Sequence, residues 1–242
     1  MQVMGTIILE QCGSTNTEAK DREKYSHGDT VIALRQTEGR GQRGHSWDSA
    51  PGENLTFSLV LEPLAVPVAE QFILSQTVAL AVADTLSFYG LDPRIKWTND
   101  IYVGDRKISG ILLENELRDG NVSRTVAGIG ININQSEFPE WVPNPTSLLL
   151  ETGLRHDIME VFDVFEAKFR ERYGALENGR GEALCAEYND LLYRRGEPHK
   201  YHIPGRGGVE GIIKSVEKNG ALTVDIDGEP EKFLFREIEF II

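Results

Sequence analysis

The sequence predicts an α+β fold with a small all-β module at its C-terminal end. Up to Arg195, short β-prone runs alternate with helical stretches, so the apolar pattern switches between a period of two and one of 3.6. Beyond Arg195 the texture changes to short strands parted by Asn219-Gly220 and Asp227-Gly228, dipeptides whose tolerance of positive φ suits tight hairpins. The division expected is a larger unit over residues 1–195 and a β-barrel-like module over 196–242.

The β-prone runs are Thr6 to Glu10, Val31 to Gln36, Leu55 to Leu61, Arg94 to Val103, Lys107 to Leu113 and Val126 to Asn134. Between them, Ala69 to Tyr89 is apolar nearly all round, as a buried helix must be. Val161, Phe162, Phe165, Phe169 and Tyr173 recur at helical spacing with charged residues between, which predicts a helix burying one face. A third helix carries Leu184, Tyr188, Leu191 and Leu192 inward.

At 242 residues the chain is long enough for one substantial core and one small module, and its 40% apolar content is ordinary for a folded protein. No run reaches the roughly 20 consecutive apolar residues of a membrane span, and no signal peptide is visible, so a cytoplasmic protein is expected. Cys12 and Cys185 lie far apart with no metal-type spacing, and reduced, structural thiols are expected. A formal charge of −13 argues against a general nucleic-acid binder, because phosphate neutralisation needs a basic field. Any anion site must be local.

Three segments concentrate the candidate chemistry. Thr37 to Asn54 is a long connection containing Gly39-Arg40-Gly41-Gln42-Arg43-Gly44-His45-Ser46-Trp47. Cations on a glycine backbone suit a phosphate, and Trp47 offers a stacking face; the segment is expected to be mobile when free and ordered by a ligand. It lacks the Gly-Lys-Ser/Thr ending of a P-loop. A solvated surface loop is the competing reading.

The second segment is Lys96-Trp97-Thr98-Asn99-Asp100 with Lys107. Gly104-Asp105 reads as a hairpin turn that sets Tyr102 against Lys107 and Asp100 against Ser109. Asp100, Tyr102, Lys107 and Ser109 then share one sheet face, with Asp100 and Lys107 diagonal neighbours roughly 7–8 Å apart at the backbone. A cross-strand ion pair on a solvated face is the alternative. In the third segment, Ala127, Ile129, Ile131 and Ile133 make an apolar face and Gly128, Gly130, Asn132 and Asn134 the other. Strand glycines mark the close approach of a ligand or of another element, and both readings stand.

Taken in order, Ser14-Thr15-Asn16, Gln36, Gly39-Arg40-Gly41 through Trp47, Lys96 to Asp100, Lys107 with Gly110-Ile111-Leu112, and Gly128-Ile129-Gly130-Ile131-Asn132 resemble the motif series of biotin protein ligases, over nearly the whole chain. The resemblance implies a class II aminoacyl-tRNA-synthetase-like mixed sheet with flanking helices, and a C-terminal SH3-like β-barrel. It implies activation of biotin by ATP, with Mg2+, to biotinyl-adenylate, then transfer to a lysine of a biotin carboxyl carrier protein. A monofunctional ligase without DNA-binding activity is the type it implies, with a homodimer as the assembly that relatives often form.

The resemblance also implies residue roles. Ser14, Thr15, Asn16, Gln36, Gly39, Arg40, Lys107 and Gly110 would bind biotin. Arg40, Arg43, Trp47, Asn99, Lys107 and Asn132 would bind ATP or the adenylate. Lys107 would bridge the biotin carboxylate and α-phosphate, Arg40 would supply further positive charge, and Asp100 would orient the acceptor amine. No protein metal ligands are implied; magnesium arrives on the ATP phosphates. Several relatives have Arg at Gln42, Arg or Asn at His45 and Pro at Thr98, and the missing charge at Gln42 is expected to weaken adenylate retention. A lipoate or octanoate ligase and a catalytically silent biotin-binding protein are the alternatives. Hydrogen-bonding groups at Ser14, Thr15 and Gln36 favour a ureido ring over an apolar chain, and Asp100 with Lys107 favours turnover.

Overall fold

The computed structural model describes residues 5–63 and 66–242, and describes Arg43 by its backbone only. A seven-stranded sheet with the order β1-β2-β3-β7-β6-β5-β4 is built from β1 (Thr6–Leu9), β2 (Thr30–Ala33), β3 (Leu55–Leu61), β4 (Pro93–Lys96), β5 (Asp100–Val103), β6 (Arg106–Arg118) and β7 (Asn121–Ile131). Only β1 and β2 are parallel; the remaining pairs are antiparallel. Helices α2 (Phe72–Phe88), α4 (Ile158–Glu177) and α5 (Gly181–Asp190) pack together, with α2 and α4 against one sheet face. The short helix α1 (Thr15–Glu18) lies on the other face, and α3 (Leu148–Thr152) follows the loop after β7.

Strand alternation decides which face is which. Phe57 of β3 is fully buried and packs edge-on against Phe162 and Phe165 of α4, with ring centroids 5.5 and 4.9 Å apart. Its neighbour Ser58 therefore points to the opposite side, beneath α1. Val161, Phe162, Phe165, Phe169 and Tyr173 are all buried along α4, as their spacing predicts. The segment Val68–Phe88 is long and apolar enough, by length and composition, to cross a bilayer, yet 67% of its window is buried inside the protein. It is the central core helix.

Two strand readings are corrected. Arg94 to Val103 is not one strand: β4 and β5 pair antiparallel, Lys96 opposite Asp100, and the chain reverses through Trp97, Thr98 and Asn99. Thr and Asn are turn formers, and they outweigh the β-propensity of their neighbours. Gln36 does not belong to β2; it makes an isolated parallel bridge with Cys12. Pairing over β6 and β7 extends beyond the expected runs to a hairpin at Asp119-Gly120, where both residues have positive φ, while β7 stops at Ile131, short of the expected Asn134.

The C-terminal sheet has the order β11-β10-β9-β8-β12, formed by β8 (Pro198–Ile203), β9 (Gly207–Val216), β10 (Leu222–Ile226), β11 (Glu229–Phe233) and β12 (Glu239–Phe240). Asp227 and Gly228, with φ of 55° and 89°, close the β10–β11 hairpin as the sequence predicts. The Trp97 indole donates to the Gly220 carbonyl at 2.9 Å, so the turn before β10 is fastened beneath the β4–β5 reversal. Phe235, Ile238 and Phe240 thereby face the same cavity as Lys107.

Candidate active site

The site lies on the sheet face opposite the helices, and the glycines make it possible. Cross-strand pairing sets Gly110 beside Gly130 and Leu112 beside Gly128, with Thr56 and Ser58 beyond them. A β-carbon at Gly128 would lie 2.0 Å from the Asn16 amide oxygen, and one at Gly130 would lie 2.4 Å from the Trp47 ring. One at Gly110 would lie 2.9 Å from the same ring. The bare strand face is thus a floor on which side chains of α1 and of the glycine-rich loop rest. Of the two readings of these glycines, the close approach of another element holds here, since α1 approaches Gly128 and the loop covers Gly110 and Gly130.

The floor carries two cavities. A narrow one of about 50 Å³ is lined by Ser14, Thr15, Asn16, Gln36, Arg40, Lys107 and Gly110 among others. Its polar groups are paired with one another. Gln36 Oε1 accepts from the Thr15 backbone N–H at 2.8 Å, Ser58 Oγ lies 2.8 Å from Thr15 Oγ1 and 2.6 Å from Asn16 Oδ1, and Asn16 Nδ2 donates to Glu114 Oε2 at 2.9 Å. Thr15, Asn16 and Ser58 are all buried.

A wide cavity of about 590 Å³ opens beside it, lined by the loop, the β4–β5 reversal, Lys107, Asn132, the aromatic residues Phe138 and Trp141, and the C-terminal Phe235 and Phe240. Here polar groups are left over. Asn132 Nδ2 donates to the Thr146 carbonyl at 2.9 Å, but its Oδ1 is buried and unpartnered. The Trp47 indole N–H is unpartnered too, in a residue that borders both cavities with its ring against Gly130 of the narrow one. Asn99 lines both cavities, and its amide is fixed by donation to the Ile111 carbonyl at 2.8 Å.

Lys107 and Asp100 stand where the cavities meet, with Nζ and Oδ1 2.7 Å apart. The expected turn at Gly104-Asp105 is present and Tyr102 opposes Lys107, but a bulge at Ile108 shifts the register beyond it. Asp100 therefore pairs with Gly110 and Ser109 with Ile101. The extra residue rotates Ser109 to the core side, where it is fully buried, and leaves Asp100, Tyr102 and Lys107 on one face. The ion pair is not solvated, for the side chains are only 16% and 26% exposed. The Lys107 ammonium also sits 5.6 Å from the Trp47 ring centroid. Its backbone is held from a second side by the Asn144 carbonyl at 2.6 Å. Burial pushes the Tyr102 phenol well above its ordinary pKa, so it stays neutral beside Asp100.

Arg40 is brought to the narrow cavity but not to Lys107. Its guanidinium donates to Thr17 Oγ1 at 3.0 Å and pairs with Glu114 at 3.4 Å. Gly39 is set back from the narrow cavity in an outer groove, where a β-carbon would strike the Trp47 carbonyl at 2.5 Å. The Arg43 side chain lies outside the described residues. Gln42 and Thr98, two of the positions that depart from the motif series, touch one another, Thr98 Oγ1 lying 3.3 Å from Gln42 Oε1. Sequence reasoning missed Ser58 and Glu114. Ser58 carries a legible signal, a polar residue opposite the core face of an otherwise apolar strand; Glu114 carries none, because its place depends on the bulge.

The arrangement suits two ligands meeting end to end at a lysine, one enclosed and matched by fixed hydrogen bonds, the other bulky and aromatic. Residues 8–132 match the model of the Biotin/lipoate A/B protein ligase family. The chain is 33% identical to the bifunctional ligase/repressor BirA of Escherichia coli, over 98% of this chain and 76% of that protein. It is 31% identical to the biotin--[acetyl-CoA-carboxylase] ligase of Paracoccus denitrificans, over 89% and 92%. The biotin protein ligase of Aquifex aeolicus, solved in complex with biotin and ATP, superposes with a TM-score of 0.81 at 27% identity, covering 97% of each chain. The family match runs from the edge strand through the glycine floor to Asn132, and the chain belongs to the biotin/lipoate A/B protein ligase family.

Proposed function

We propose that this protein activates biotin with ATP and transfers it to a lysine of a biotin carboxyl carrier protein. The single observation that carries the reading is the Lys107–Asp100 pair placed where a narrow polar cavity meets a wide aromatic one. Residues 1–195 form the catalytic unit in this reading, and 196–242 a module that supplies one wall of the wide cavity. Biotin binds at the narrow cavity, which at about 50 Å³ widens to admit it, its ureido ring against Ser14, Thr15, Asn16 and Gln36 and its carboxylate toward Lys107 and Gly110. MgATP occupies the wide one, with adenine between Trp47 and Asn132. Magnesium comes as part of that substrate, bound to its phosphates.

In the first step a carboxylate oxygen of biotin attacks the α-phosphorus, the bond to the bridging oxygen of pyrophosphate breaks, and biotinyl-adenylate forms. Two anions are brought together, so preorganised positive charge is the main requirement. Lys107 supplies it by exchanging Asp100 for the incoming oxygens. Arg40 can follow, because its contact with Glu114 is part-exposed and such pairs hold by only about 0–1 kcal/mol. In the second step a neutral lysine amine attacks the acyl carbon, the bond to the AMP oxygen breaks, and the amine proton leaves through Asp100, freed by the exchange.

Incubating the protein with MgATP and either biotin or lipoate, without acceptor, and identifying the acyl-adenylate by mass spectrometry beside pyrophosphate release tests this reading. Biotinyl-adenylate alone is expected. Lipoyl-adenylate would reassign the narrow cavity, and no adenylate at all would leave a binding protein.

A further inference from the structure

Glu114 lies outside the motif series, yet it holds three neighbours of the narrow cavity at once. Its carboxylate accepts from Asn16 Nδ2 at 2.9 Å and from Lys20 Nζ at 2.8 Å, and it pairs with Arg40 at 3.4 Å. Burial pushes this carboxyl up, but Lys20, Asn16 and Arg40 together outweigh it, so its pKa is lowered and it is ionised at neutral pH.

An ionised carboxylate can only accept hydrogen bonds. Asn16 must therefore turn its NH2 group toward Glu114 and its carbonyl oxygen away; the flipped amide would set oxygen against oxygen. That carbonyl, 2.6 Å from Ser58 Oγ, takes the one hydroxyl proton Ser58 has. The Ser58 oxygen is left as an acceptor for Thr15 Oγ1, 2.8 Å away. Each group in the series has its direction set by the one before, and at its head the Asn16 amide is held by the Glu114 carboxylate and, by a longer bond of 3.3 Å, by the Leu112 carbonyl.

We propose that Glu114 is a positioning residue that imposes donor and acceptor polarity on the Asn16–Ser58–Thr15 chain, and through it the selectivity of the narrow cavity for the ureido group. This rests on biotin being the ligand of that cavity. A pocket whose hydroxyl and amide groups cannot reverse rejects a ligand of opposite polarity more strongly than one whose groups can.

The series leaves only acceptors for the ligand, which match the ureido N–H groups. The test therefore compares wild type, Glu114→Gln, Glu114→Asp and Ser58→Ala in adenylate formation with biotin and with its cyclic carbamate analogue, in which a ring oxygen replaces one ureido N–H. Glu114→Gln can donate as well as accept, so only the longer bond to the Leu112 carbonyl still favours the original Asn16 orientation. The KM for biotin is expected to rise about tenfold with kcat held within about threefold, and the preference for biotin to narrow by about tenfold. Glu114→Asp, ionised again, restores most of the preference. Ser58→Ala narrows it without touching the Glu114 ion pairs, which keeps the proposal testable if Glu114→Gln folds poorly. Equal losses on both compounds, with the preference unchanged in Glu114→Gln and Ser58→Ala, would overturn it, as would a rise confined to the KM for ATP, which would mean that Glu114 acts through Arg40. A wild type inactive with biotin would defeat the proposed function instead, and is read before any variant.

Discussion

The two ends of the site are built on opposite principles. At the biotin end the cavity measures about 50 Å³ and its buried polar groups are paired among themselves. At the wide end, proposed for the nucleotide, it measures about 590 Å³, and the side-chain oxygen of Asn132 is buried without a partner, while the unpartnered indole N–H of Trp47 borders both cavities. A buried polar group left unpaired costs about 1–3 kcal/mol. The biotin end has already met that cost within the fold and can spend its geometry on selectivity. The nucleotide end leaves it for the ligand to relieve, which favours occupancy without demanding an exact fit. Lys107 and Asp100, paired with each other at the junction, keep both ends neutral until an anion arrives.

The largest effect should come at the junction. Lys107→Ala removes the positive charge and also leaves the Asp100 carboxylate, 16% exposed, facing the phosphates. Adenylate formation measured by pyrophosphate release should fall by about 10²–10³-fold. A change below tenfold would move the electrostatic centre of the site elsewhere.

Glycine substitutions at the floor of the narrow cavity compare the two elements that rest on it, α1 and the loop. In Gly128→Ala the new methyl meets the Asn16 amide inside the paired network, and in Gly130→Ala it meets the ring of a loop residue that is only half-buried. Overpacking typically costs about 1–3 kcal/mol, and thermal melts should show Gly128→Ala taking the larger loss because its neighbour has nowhere to go. The reverse order would mean that the loop, not α1, is the rigid partner.

Asn132→Ala tests the unpaired end. The KM for ATP should rise about tenfold while the KM for biotin stays within twofold or so, since Asn132 lines the wide cavity and not the narrow one. Equal rises in both would erase the distinction. The smallest effect is one of pH. The depressed pKa of Glu114 contributes stability that is fully present above the unfolded value of about 4.3 and disappears as pH falls through the folded value. Denaturation profiles of Glu114→Gln should therefore converge on wild type in acid and fall below it at neutral pH. Parallel profiles would show that the paired network does not depend on that charge.

Much of this was legible in the sequence, for reasons that differ along the chain. The seven residues of β3, the inward face of α4 and the hairpin at Asp227-Gly228 follow from periodicity and turn chemistry, which are local. The glycine floor was visible as an alternation in β7, but what rests on it was not, since Asn16 and Trp47 arrive from distant segments. The Lys107–Asp100 pair was anticipated on the wrong register: a single bulge at Ile108 is invisible to alternation and moves Ser109 to the core while leaving Lys107 in place. Glu114 could not be read because its importance lies in three partners 74 to 98 residues away. The walls of the wide cavity were missed for the same reason, since Trp141 and Phe235 come from different units and meet only in the fold.

The central claim is that Lys107 serves activation and Asp100 serves transfer within one site. A rapid-quench single turnover with biotin, MgATP and a biotin carboxyl carrier domain, following biotinyl-adenylate and biotinylated carrier together in wild type and Asp100→Ala, tests it most directly. The account predicts that Asp100→Ala forms adenylate at a rate near that of wild type and accumulates it while carrier labelling lags. Slow adenylate formation followed by transfer at the wild-type rate would contradict it.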